Sequence, residues 1–77
     1  MKYIKKEDIL EGAYIELRGN NDLLIEGCDG LLGYEEDLIT LQVGKQVLNI
    51  KGKRLTMRYL SEKKIGISGY IKGVEYV

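Results

Sequence analysis

The segment LITLQVGKQVLNIK, residues 38–51, decides the fold class. Ile39, Leu41 and Val43 fall on one side of an extended chain, with Thr40 and Gln42 opposite. After Gly44-Lys45-Gln46 the alternation resumes, and Leu48 and Ile50 again share a side. Successive side chains of a strand point to opposite faces, so a period of two marks strands with one face buried. The GKQ step between the two runs is short enough to close them into a hairpin.

Working outward, the same period covers most of the chain. GKR, residues 52–54, leads into LTMRY, where Leu55, Met57 and Tyr59 alternate with Thr56 and Arg58. SEKK turns the chain into IGIS, with Ile65 and Ile67 inward, and YIKGVEYV places Val74 and Tyr76 inward. Upstream, AYIELRG sets Ile15 and Leu17 together, GNND is a strong turn signal, and LLIEG sets Leu23 and Ile25 together. CDG, the short extended LLGY and a turn at EED then lead back to residue 38. Seven or eight short strands with turn signals every eight to ten residues predict an all-β domain. The expected arrangement is a single small, mostly antiparallel meander: a roll, an open barrel or a stacked sheet. It should span residues 13–77, preceded by an arm or short helical turn over residues 1–12.

An apolar-x-apolar-x-Gly phrase ends at Gly19, Gly27, Gly52 and Gly69. Glycine reaches backbone conformations that other residues avoid, so each is expected to close a strand at a turn or bulge. Phosphate-cradling loops need a helix after the glycine-rich turn, and no helical stripe follows any of these. The phrase is therefore architectural.

Composition narrows the chemistry. A chain of 77 residues buries only about 60% of its unfolded surface, so its core is small. A single cysteine and no histidine leave no intramolecular disulfide and no set of four Cys/His ligands for a structural zinc. Self-association is the remaining route to extra stability, and a homo-oligomer is expected. A lone cysteine suits a reducing compartment. The opening MKYIKKEDILEG lacks the apolar core of a signal peptide, and no run approaches the roughly 20 apolar residues of a membrane helix. A cytoplasmic protein is expected.

No catalytic constellation emerges. The commonest general base is missing, neither Ser61 nor Ser68 lies in a Gly-x-Ser-x-Gly elbow, and Cys28 is flanked by Glu26 and Asp29, whose charges oppose thiolate formation. Glu35-Glu36-Asp37 lacks the alternate spacing of a calcium loop. No enzyme activity, no cofactor, no metal and no small-molecule substrate are expected.

Charge is balanced overall, twelve bases against twelve acids, yet unevenly distributed. Residues 16–37 carry seven acids and one base, a net of −6, while residues 45–64 carry seven bases and one acid, a net of +6. Such a split suggests a polar molecule, or one whose ends attract copies of itself. Lys51, Lys53, Arg54 and Arg58 are candidates for one basic interaction patch on neighbouring strands, and with Tyr59 and Tyr70 they offer a site for single-stranded nucleic acid. The balanced total charge speaks against nucleic acid as the main ligand. A membrane-surface role for the same patch is a third reading. The C-terminal strand, with Tyr70, Ile71, Val74 and Tyr76, is a candidate edge for docking another chain.

Taken in order, IEGCDGLLGYEEDLITLQVGKQVLNIKGKRLTMRYL, residues 25–60, and KIGISGYIKGVEYV, residues 64–77, resemble the YabP/YqfC family of sporulation proteins from endospore-forming bacteria. The resemblance rests on Ile25-Glu26-Gly27 to Gly30-Leu31, the aromatic-acidic Tyr34-Glu35-Glu36, Ile50-Lys51-Gly52 to Leu55, and Ile67-Ser68-Gly69-Tyr70-Ile71 to Val74 and Tyr76. It implies a protein of the mother cell, near the developing spore, acting as an assembly or adaptor module with a protein partner in cortex or coat formation. It supplies no catalytic residues. A small nucleic-acid-binding β domain is the alternative function.

Overall fold

The structure, a computed structural model, describes residues 14–77; the expected N-terminal arm lies outside these. Six strands follow one another: β1 (Tyr14–Arg18), β2 (Asp22–Glu26), β3 (Gly30–Tyr34), β4 (Leu38–Val43), β5 (Gln46–Ser61) and β6 (Lys64–Tyr76). They form one sheet in the order β1-β2-β6-β5-β4-β3, every neighbouring pair antiparallel. The hairpin read at residues 38–51 forms as expected, with Val43 opposite Gln46 and Gly44-Lys45 as its two-residue turn. Gly44 has φ 61°, the left-handed conformation that such tight turns use.

The strand count is six rather than seven or eight, because two expected turns are bulges inside longer strands. β5 runs for 16 residues and β6 for 13. A straight 16-residue strand would span about 50 Å, but the longest dimension of the described residues is 28 Å. β5 and its partner β6 therefore bend together. The register slips between Lys51 and Gly52, between Lys53 and Thr56, and between Met57 and Tyr59. Arg54 sits at φ 54° in the middle of the bend, and Gly69 opposite it at φ 126°. Gly19 and Gly27 do close strands, whereas Gly52 and Gly69 lie within them.

Gly52 and Gly69 are where the two ribbons press closest. A Cβ on Gly52 would overlap the carbonyl oxygen of Tyr70 and lie 2.8 Å from Cδ2 of Leu55; one on Gly69 would lie 2.5 Å from the carbonyl oxygen of Arg54. Only residues without a side chain allow that approach.

The bend divides the sheet into two leaves. One comprises β1, β2, the start of β6 and the end of β5; the other comprises β3, β4, the start of β5 and the end of β6. Each leaf has an apolar face that must be covered, and here each covers the other. Ile15, Leu23, Ile25, Ile65 and Ile67 from the first leaf join Ile39, Leu41, Val43, Leu48, Ile50 and Ile71 from the second, with Leu55 at the bend and Cys28 at the crossover, in a single core. No polar or charged side chain is buried in it.

Two turns seal the bend. The carbonyls of Asn20 and Asn21, between β1 and β2, accept the N–H groups of Ile71 and Gly69 at 2.7 and 3.1 Å. On the other ribbon the carbonyls of Glu36 and Asp37, between β3 and β4, accept those of Leu55 and Gly52 at 2.7 and 3.1 Å. Backbone groups released by the bulges are satisfied in this way, as buried N–H groups must be.

Candidate functional site

The four expected basic residues are all exposed and have different neighbours. Lys51, on the second leaf, holds Glu75 across the β5–β6 ladder with Nζ 2.6 Å from Oε1. Lys53 and Arg54 stand at the bend and, with Glu35, Glu36 and Asp37, line an open depression of about 460 Å³. Arg58 lies beyond the bend, in a groove of about 310 Å³ on the outer face of the first leaf. Bulges at 53–56 and 57–59 each shift the register of a period-two pattern, so alternation counted through them assigns side chains to the wrong faces.

Tyr59 shows the effect directly. Alternation places it inward with Leu55 and Met57, but the bulge after Met57 turns it out, opposite Gly66, and it is about half exposed. Its ring covers Gly66, where an added Cβ would collide with the ring carbons. The groove beside it is lined by Leu23, Leu24 and Ile67, and by Arg18, Glu16 and Asp22. Arg18 already holds Glu16, with Nε 2.9 Å from Oε2. The signal for this groove lay in Lys64-Ile65-Gly66-Ile67: a glycine at an outward position between two core isoleucines leaves space for an aromatic ring from the next strand.

The expected C-terminal edge strand lies within β6, whose first half is enclosed on both sides and whose end pairs with β5. The sheet order places β6 between β2 and β5, with β1 and β3 as the terminal strands. Its ladder to β2 ends at Ser68, and the β1–β2 turn then takes up Gly69 and Ile71. Ile71 is buried and Val74 packs against the core, while Tyr70 and Tyr76 are partly exposed.

Two features were not read from the sequence. Asp29, on the crossover between the leaves, accepts the Gly44 N–H at 2.7 Å through Oδ2 and holds Lys63 Nζ 3.4 Å from Oδ1. The Gly44 bond, and after it Lys63, hold this carboxyl below the usual range. The second is Tyr34, whose hydroxyl oxygen accepts the N–H of Met57 at 3.0 Å, linking the end of β3 to the outer edge of β5.

Little here resembles a reaction centre. Cys28 is buried, its Sγ 3.4 Å from the carbonyl oxygen of Gly30. Burial pushes its thiol up, and the charge of Asp29 adds to this, so it is held in the protonated, unreactive form. Burial, more than the flanking acids, keeps it so. Among the described residues no group of three or more Cys, Asp or Glu side chains converges on a cation position, and no helix is long and apolar enough to cross a membrane. Among the described residues the surface presents grooves, exposed tyrosines and the edges of the terminal strands β1 and β3.

The YabP family model matches residues 10–77, most of the chain and all of the described sheet. No curated protein matches it.

Proposed function

The chain belongs to the YabP family, and from that premise we propose that it is a non-enzymatic sporulation protein, an assembly or adaptor module in formation of the spore envelope. Membership of the family carries this reading and is consistent with a sporulation-associated protein. Exposed tyrosines and leucines suited to protein contact support the rest.

The nucleic-acid alternative draws no support from the arrangement of the cations. Single-strand binding needs a continuous basic track, and here Lys51 is engaged by Glu75, Lys53 and Arg54 face three acids, and Arg58 lies in a different groove.

Timed fluorescence of a tagged copy in a spore-forming host tests the proposal. The expected result is signal confined to the mother cell during sporulation and gathered around the developing spore. Signal throughout vegetative growth, spread over the cytoplasm or nucleoid, overturns it.

A further inference from the structure

Where the two leaves meet along one side, the structure leaves a seam bounded by two strand edges. One edge is β3, the terminal strand of the sheet. The other is the end of β5, whose ladder with β4 stops at Lys51 and whose outer side, from Met57 onward, hydrogen-bonds only to the Tyr34 hydroxyl among the described residues. The Tyr34–Met57 hydrogen bond bridges these edges through the tyrosine side chain.

The seam is apolar where an edge is usually protected. Tyr34 pairs with Ile39 and Leu60 with Ile65. Directly paired residues share a face, so both side chains belong to the inner faces of their leaves, yet each is 46% exposed. Leu32, the extra residue of the β3 bulge, is 56% exposed. β3 reads GLLGY, with neither charge nor proline, whereas the other terminal strand, β1, carries Glu16 and Arg18. Natural sheets guard free edges with charge, proline or twist. β3 has only its bulge, which suggests an edge covered by another chain.

We infer that the occupant is a second copy of this chain, docked about a two-fold axis through the seam. Charge favours this occupant. Glu35 follows Tyr34 and Arg58 follows Met57, so each charge stands one residue from the contact, on opposite strands. None of the ion pairs among the described residues engages Glu35, Glu36 or Arg58. Pairing β3 with β3 alone would set Asp29 near Glu35 of the other copy, acid against acid. Rotation about the Tyr34–Met57 contact instead sets β3 against the partner's β5 edge and Arg58 of each copy beside the acidic turn of the other. Such an isologous contact closes on itself and makes a dimer rather than a fibre. The inference names a partner for the assembly reading and rests on it for its biological use.

Sedimentation velocity and light scattering on the full chain across a concentration series test it. A dimer is expected. Leu32→Glu and Leu60→Glu, both at exposed positions, should each weaken it at least tenfold while circular dichroism remains that of the wild type. Arg58→Glu should weaken the dimer, and adding Glu35→Arg and Glu36→Arg to it should restore association. A monomer at every concentration overturns the inference, as does a dimer unmoved by Leu32→Glu and Leu60→Glu in folded protein. A failed charge exchange overturns the two-fold arrangement. A seam-dependent dimer whose tagged copy never reaches the spore would overturn the assembly reading alone; a monomer that does reach it would overturn the dimer alone.

Discussion

Asp29 takes the backbone N–H of Gly44 at 2.7 Å, a bond across fifteen residues that fixes the crossover to the tip of the β4–β5 hairpin. The same carboxylate reaches Lys63 at the tip of the β5–β6 hairpin. β5 begins at one tip and ends at the other, so one acid holds together both ends of the bent strand.

Stability should therefore depend on acid in a defined direction. The Asp29 carboxyl is lowered in the folded protein, by the Gly44 bond first and Lys63 second. Its stabilising contribution is complete above the unfolded value, about 3.9, and is lost as pH falls through the lower folded value. At neutral pH the urea midpoint of Asp29→Asn should lie below that of the wild type. The gap should close below about pH 4; a gap constant with pH would show that the charge contributes nothing.

Glycine at the bend is required by space. Gly52→Ala sets a Cβ against the Tyr70 carbonyl, a backbone atom that cannot swing aside, and should destabilise by about 3 kcal/mol. Gly73→Ala, in the same ribbon with nothing within 4 Å of the added carbon, should stay within about 1 kcal/mol of the wild type. Equal effects in chemical denaturation would refute the close approach.

The β5–β6 turn carries a removable strain. Glu62 and Lys63 sit at φ 47° and 68°, the signature of a type I′ turn in which asparagine and glycine are preferred. Glu62→Asn should raise stability by about 1 kcal/mol, seen as a higher denaturation midpoint. Lys63 is better left alone, since its side chain also meets Asp29.

Core truncation should be severe for so small a domain. Ile50 is fully buried between the leaves. Ile50→Ala should cost about 2–5 kcal/mol, against a total of about 4–12 kcal/mol for a chain this long. Ile50→Val should cost about 1 kcal/mol and remain folded by circular dichroism.

Local reading succeeded wherever a strand and its turn lay within a few residues. The pattern at Ile39, Leu41, Val43, Leu48 and Ile50 specified both strands of one hairpin, and all five side chains enter the core. It failed where the backbone gained a residue. The pattern at Gly52 and Gly69 reads as the close of a strand because glycine permits turn and bulge equally; what separates them is a partner strand far away in sequence. Counting twos across a bulge puts Tyr59 in the core, whereas the bulge after Met57 turns it out. Family membership needed no such geometry, because the order of loose phrases from Ile25 to Tyr76 carried it.

The place of β6 has a consequence for synthesis. β2 is complete at Glu26, but its inner neighbour begins only at Lys64, about 40 residues later. At roughly 5–20 residues per second, the β1–β2 hairpin waits some two to eight seconds on the ribosome with Leu23 and Ile25 exposed. The first leaf closes only when the last strand emerges, so a nascent chain cut short in β6 has no native state to reach and becomes a substrate for chaperones and proteases.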